Sequence, residues 1–199
     1  MKKISVLIFV LIFSFFANAS EQDSLKLQLE NLFEVSKKVN TPESEKEKSR
    51  KEIEGAIDWE GIARLCLGES NFKKHKGKNF SEFRDLLKEV ISKTAFSRMD
   101  KFWAAGTKSQ IDKVDVQGTK AHVAAKFITN GETFSLDYYL NKKGNRWSID
   151  DIAYEDMKYT VNIKEQLDAF LKEKPFSELL VKLRKKRDEL DKPAKPKSS

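Results

Sequence analysis

The chain has 199 residues, with 38 Lys and Arg against 31 Asp and Glu, one cysteine and two histidines. A lone cysteine excludes an internal disulfide framework and a multi-cysteine zinc module, and two histidines leave little for a histidine-rich metal site. Glycine (8) and proline (4) are too scarce for collagen or a low-complexity array, so the composition suits one ordinary domain.

Lys2 and Lys3 precede an apolar run over residues 4–16, and Ala17-Asn18-Ala19 supplies small residues before Ser20. This pattern predicts a secretory signal peptide over residues 1–19, too short for a membrane span and with no following cysteine for lipid attachment. Without it the formal charge falls from +7 to +5. That mild positive balance suits anionic headgroups or acidic partner surfaces. Bases interleaved with acids argue against nucleic acid. The cluster of Lys182, Arg184, Lys185, Lys186 and Arg187 reads as a solvated helix face.

Residues 24–39 place Leu25, Leu29, Leu32 and Phe33 at helical spacing. Thr41-Pro42 ahead of Glu43 and Glu45 reads as the start of a charged surface helix reaching about residue 54. Asp58 caps a short helix carrying Trp59, Ile62, Leu65 and Cys66, closed by Gly68. Asn79 with Glu82 is a capping-box variant opening a long helix with Phe83, Leu86, Leu87, Val90, Ile91, Phe96, Met99, Phe102 and Trp103.

From Ile111 the period changes to alternation. Val114 and Val116 precede a turn at Gly118, residues 121–129 form a strand, and Asn130-Gly131 is a hairpin signal. In the next strand Phe134, Leu136, Tyr138 and Leu140 face one way, with Ser135, Asp137 and Asn141 opposite. A turn over residues 142–145 leads to a fourth strand over residues 146–152. Residues 157–172 then form an amphipathic helix, and Pro175 starts a last helix with Phe176, Leu179, Leu180 and Leu183. The predicted class is α+β, a four-stranded antiparallel sheet covered by helices from both ends of the chain. The small residues Ala121, Val123 and Ala125 on the covered face admit a close-packed helix or leave a cavity. The predicted domain spans residues 20–190, with a Lys/Pro-rich disordered tail over 191–199.

Catalytic constellations are missing from the sequence: it has no GxSxG, no HExxH and no phosphate-binding glycine loop. His75 falls in a lysine-rich loop, His122 on a strand, and Cys66 between two leucines reads as an inert buried thiol. Asp150 and Asp151 are adjacent on a strand and so should face opposite ways. No cofactor is expected.

Ile57-Asp58-Trp59, Ile62-Ala63-Arg64, Leu67-Gly68, Phe80 and Phe83 leading into Leu87 resemble the MlaC-type periplasmic phospholipid-binding proteins, also called the toluene-tolerance auxiliary transport family. Trp147, Asp151-Ile152, Glu155, Met157, Asn162 and Gln166 follow at that family's spacing, then Leu179-Leu180 and Leu183. The similarity spans roughly residues 51–190. The chain departs from the family at Asp156-Met157-Lys158, where Gly-x-Ser is usual, at Ile163-Lys164 in place of Tyr-Arg, and at Phe96 in place of a tyrosine.

The resemblance implies a non-enzymatic, monomeric, periplasmic carrier whose helix-clad sheet encloses an apolar pocket for phospholipid acyl chains. It also implies shuttling between an outer-membrane lipoprotein complex and an inner-membrane lipid ABC transporter with a ring of lipid-binding subunits. A hopanoid or another envelope lipid is an alternative cargo, and an exported interaction module with a packed core is an alternative function. The pocket is expected between the long helix and the covered sheet face. Its expected lining is Leu87, Val90, Phe96, Phe134, Leu136, Tyr138 and Trp147, joined by Met157 and Leu167.

Overall fold

The computed structural model describes residues 4–38, 43–104 and 106–192. Five helices come first: α1 (Ile4–Lys37), α2 (Glu43–Gly55), α3 (Trp59–Leu67), α4 (Glu69–Lys74) and α5 (Lys78–Ala104). A sheet follows with strands β1 (Lys108–Gln117), β2 (Lys120–Thr129), β3 (Glu132–Lys143), β4 (Arg146–Tyr154) and β5 (Met157–Lys158). Helices α6 (Tyr159–Glu173) and α7 (Phe176–Leu190) complete the chain. Among the described residues no helix is long and apolar enough to cross a membrane.

The sheet is an antiparallel meander in the order β1-β2-β3-β4-β5, so it has five strands where the sequence predicts four. The additional strand takes Met157 and Lys158 from the start of the expected helix, because a two-residue turn pairs Tyr154 with Met157. That turn consists of Glu155 (φ 49°) and Asp156 (φ 63°), both in the left-handed region that disfavours branched side chains. The hairpin at Asn130-Gly131 forms as its sequence predicts, with φ of 51° and 81° and Thr129 opposite Glu132.

Asp58 accepts the backbone N–H of Gly61 at 3.1 Å and caps α3, and Gly68 (φ 74°) ends it. A Cβ at Gly61 would lie 2.6 Å from an Asp58 carboxylate oxygen, so the cap closes tightly only over glycine. Helix α4 is an element that the sequence reading missed. The long helix also starts at Lys78 rather than after an Asn79 cap. Ser81 N–H bonds to Gly77 C=O, which draws Asn79 and Glu82 into the helix. The Thr41-Pro42 helix start and residues 193–199 of the expected tail lie outside the described residues. Asp191 and Lys192 are described, and Asp191 ends α7 and pairs with Lys93 of α5.

Apolar burial divides into two main clusters and a small bridge. The first joins Leu25, Leu29 and Phe33, one stripe of α1, to the inner face of the sheet. The second is all-helical, with Cys66 and Leu67 of α3, Phe83 of α5, Leu167 of α6 and Leu179 of α7. Full burial of each large side chain stabilises the fold by about 1.5–3 kcal/mol. Between them, Ile53 and Phe96 meet Leu32, Ile57 and Met99. Helix α5 is about 40 Å long at 1.5 Å per residue and serves all three clusters in turn.

Candidate lipid-binding site

Alternation along β2 turns Ala121, Val123, Ala125 and Phe127 to the inner face, and β3 and β4 add Leu136, Tyr138, Leu140, Trp147 and Ile149. Helix α1 covers this face. The Phe33 ring lies 5.3 Å from Phe127 and 5.6 Å from Tyr138, so the small β2 residues admit a close-packed helix. Gln28 of α1 donates to the Trp147 carbonyl at 2.9 Å, fastening the helix to β4. At the end of α5, Phe102 lies 5.6 Å from both Phe127 and Phe134, while Trp103 packs against Phe102 at 4.9 Å. Burial pushes the Tyr138 phenol above its ordinary range, so it stays protonated.

Four of the nine expected lining residues, Phe134, Leu136, Tyr138 and Trp147, therefore share one apolar face. The other five do not join them. Leu87 and Leu167 belong to the helical cluster, Phe96 to the bridging cluster, and half-buried Val90 to none of the three. Met157 is 61% exposed on β5, with its sulfur 3.7 Å from Asn162 Nδ2. The division follows from the path of α5, whose last turn alone reaches the sheet, so α1 covers the face assigned to the long helix. Leu25, Leu29 and Phe33 were missed as part of this site, although their four-residue spacing was plain in the sequence. An open groove of about 770 Å³ lies elsewhere, between α2, α5 and the end of α7, and shares only Phe96 with the expected lining. That groove, open and lined by charged side chains, is not the enclosed apolar pocket that the resemblance implies.

The reactive side chains are occupied in packing. Cys66 is fully buried, and burial together with the nearby Asp151 carboxylate pushes its thiol up to about 12. His75 is not an isolated loop residue: its ring stacks on Phe176 at 4.0 Å. Burial and neighbouring Lys74 lower its pKa below the ordinary histidine value. His122 Nε2 lies 2.6 Å from Asp137 Oδ1, and its ring stacks on Tyr139 at 5.1 Å.

Asp150 and Asp151 do not face opposite ways. Tyr139 pairs with Asp151 and Leu140 with Ile149, which leaves Asp150 as the extra residue of a bulge. Both carboxylates reach the outer face, where Asp150 accepts from Asn141 at 2.6 Å and Lys120 at 3.3 Å. Asp151 turns instead to Thr160 at the start of α6. Among the described residues no three His, Cys, Asp or Glu side chains converge as a metal site.

A crystal structure of a phospholipid-binding protein from Ralstonia solanacearum, in complex with a phospholipid, has the same fold. It is 19% identical, with a TM-score of 0.63, and the match covers 87% of this chain and 92% of that one. No curated protein matches the chain in sequence. The sequence model of the MlaC protein family does match, over residues 28–185, and takes in Leu29 and Phe33 of α1's apolar stripe, the bulged β4, α6 and most of α7; the chain belongs to the MlaC family.

Proposed function

We propose that the protein is a carrier that holds phospholipid by its acyl chains between the sheet and the helical layer. Membership of the MlaC family carries this reading, and a neighbour of the same fold is a phospholipid complex. The arrangement of apolar clusters supports it. The sheet cluster and the helical cluster meet through a bridge centred on only two buried side chains, Ile53 and Phe96. Acyl chains entering at that seam would have an apolar wall on either side. Phe134, Leu136, Tyr138 and Trp147 supply the sheet wall, and Leu87 and Leu167 supply the helical wall.

Each methylene removed from water contributes about 0.8 kcal/mol, so two ordinary chains give roughly 20–25 kcal/mol against water. Measured from a bilayer the same term nearly cancels, because the chains pass between two apolar media. A carrier of this kind retains lipid in water and exchanges it at a membrane without chemistry. We further read residues 1–19 as an export signal and the protein as a monomeric periplasmic shuttle. Its stations are an outer-membrane lipoprotein complex and an inner-membrane ABC transporter, and no catalytic step is assigned.

A second reading has one observation in its favour: α1 fills the inner face with side chains of this chain, as an interaction module with a packed core would. Native mass spectrometry of the exported protein separates the two. The carrier arrives with an added mass of several hundred daltons that organic solvent removes, and loses it when Leu136→Asp or Phe134→Asp is introduced. A protein that never carries such a mass, from any lipid-containing membrane extract, is the module and not the carrier.

A further inference from the structure

Positive charge is concentrated in one short stretch of the chain. Between Glu60 and Glu82 stand Arg64, Lys73, Lys74, Lys76 and Lys78, with Glu69 as the one acid, a net +4. Residues 20–199 together carry +5, so everything outside this stretch is nearly neutral. Four of the five cations meet where α4 turns into α5. Glu69 is already shared, pairing with Arg64 at 2.8 Å and Lys73 at 3.8 Å. The Arg64 hydrogen bond, with Lys73 and Lys76 nearby, holds its carboxyl below the ordinary range. Lys74, Lys76 and Lys78 have no carboxylate at ion-pair distance among the described residues. Flanking elements do not offset the charge. The end of α6 and the start of α7 are balanced, Lys172 and Lys174 against Glu173 and Glu178. Glu82 is held by Arg184, and Glu60 shares Arg84 with Asp85, a trio of net −1.

The turn is held in place and faces outward. His75 stacks on Phe176 of α7 at 4.0 Å, and Phe72 packs edge-on against Phe80 at 4.8 Å with the Arg64 guanidinium 4.5 Å from its ring. Residues 73, 74 and 76–79 are exposed, and a Cβ at Gly77 would meet nothing within 4 Å, so the turn projects instead of lining a groove. Fold stability accounts for only part of this charge. Lys73 and Lys74 suit the C-terminus of α4. Lys76 and Lys78 stand at the N-terminus of α5, the end whose macrodipole repels cations, and no acid occupies its first turn.

We propose that this turn docks the protein on the surface of an anionic phospholipid bilayer, with Lys73, Lys74, Lys76 and Lys78 facing the headgroups. Lysine ammoniums are compact, hydrated point charges, and a flat array of headgroups satisfies them without a shaped pocket. A protein partner calls instead for arginine and aromatic anchors, because interface cores are depleted in lysine. Here the one arginine is engaged by Glu69, and Phe72 is engaged by Phe80 and Arg64. Docking of this kind is electrostatic and reversible. It requires no lipid inside the protein, so it goes beyond the carrier reading and stands apart from it.

The test sediments the exported protein with vesicles of phosphatidylcholine containing one-third phosphatidylglycerol, beside vesicles of phosphatidylcholine alone. At about 0.1 M salt, where the screening length is about 10 Å, the protein should bind the anionic vesicles and not the neutral ones. At about 1 M salt, where that length is about 3 Å, binding should vanish. Lys74→Gln combined with Lys76→Gln should weaken binding roughly twentyfold, about fivefold per lysine, at an unchanged melting temperature. Lys113→Gln combined with Lys192→Gln removes the same charge from β1 and the end of α7, and should weaken binding only about twofold. Equal losses in the two pairs mean attraction by net charge alone and overturn the proposal, as does no preference for anionic vesicles. Binding to soluble polyglutamate that matches vesicle binding and depends equally on Lys74 and Lys76 reassigns the turn to an acidic protein and also overturns it. Vesicle binding through Lys74 and Lys76 by a protein that never carries lipid upholds the docking turn and sinks the carrier. Co-purifying lipid in a protein indifferent to anionic vesicles does the reverse.

Discussion

Asp151 Oδ2 accepts the Thr160 hydroxyl at 2.6 Å while its Oδ1 accepts the Thr160 backbone N–H at 3.1 Å. Oδ1 also takes the backbone N–H of Ile152 at 3.0 Å, so a carboxylate only 4% exposed is satisfied by three donors. Lys158, at the N-cap position of α6, provides no side-chain cap, and Asp151 takes that role from the adjacent strand. This one side chain ties β4 to α6, and with it the sheet to the helical cluster. Asp151→Ala should destabilise the fold by about 3 kcal/mol, because it strands buried donors and loses charge-assisted bonds. Asp151→Asn should lose about 1 kcal/mol, since one carbonyl oxygen remains for the backbone N–H. Urea unfolding of both variants checks the order; equal losses would show that the carboxylate acts through packing alone.

The β4–β5 turn carries a predicted gain. Glu155 and Asp156 both sit at positive φ, which a glycine adopts without steric cost. Asp156→Gly should raise stability by up to about 1 kcal/mol, a rise of a few degrees in the melting temperature for a chain of this size. Asp156→Val should lower it. Differential scanning calorimetry of the pair gives the sign in each case.

Gly61 should be intolerant for a reason of contact rather than of backbone. A Cβ there meets the Asp58 carboxylate at 2.6 Å, and Asp58 both caps α3 and pairs with Lys143 at 2.8 Å. Gly61→Ala should therefore cost about 1 kcal/mol or more, although alanine favours helix. In an Asp58→Ala background the same substitution should become neutral or favourable. A double-mutant cycle with additive effects would refute the coupling.

Alkaline pH should unfold the protein through its buried acids. The Cys66 thiol is pushed up to about 12 from an ordinary value of 9.0, and the Tyr138 phenol is raised by burial as well. In the unfolded chain the thiol ionises from about pH 9, while in the folded chain it holds its proton. The unfolded state thus binds fewer protons between about pH 9 and 12, and stability falls across that window while Cys66 adds no slope below it. Cys66→Ala should flatten the decline above pH 9, measured by denaturant midpoint against pH. At pH 8 native Cys66 should resist a thiol reagent that labels it promptly in urea.

Met157 separates exposure from lining. At 61% exposed, a charge there stays in water, so Met157→Glu should leave both the melting temperature and the bound lipid unchanged. Leu136→Asp on the sheet face should lose lipid by comparison, which native mass spectrometry reads directly. Lipid lost from Met157→Glu with an intact fold would place the acyl chains at β5 instead.

Local signals in the sequence determined the helices with an apolar stripe, the Asp58 cap, the Asn130-Gly131 hairpin and the switch to alternation at Ile111. Each depends on neighbours within a few residues, where capping, turn geometry and period act directly. Family resemblance was legible in the same way, through the spacing of Trp147, Asp151 and Gln166. What only the tertiary structure decided was which layer faces which. The apolar stripes of α1 and α5 look alike along the chain, yet α1 takes the sheet and α5 reaches it only at Phe102 and Trp103. The bulge at Asp150 was equally hidden, since alternation assumes a regular ladder. One extra residue on β4 turns Asp150 and Asp151 to the same face and gives Asp151 to Thr160. Period 3.6 or 2 assigns a face to each side chain, but long-range packing and strand register choose what that face meets.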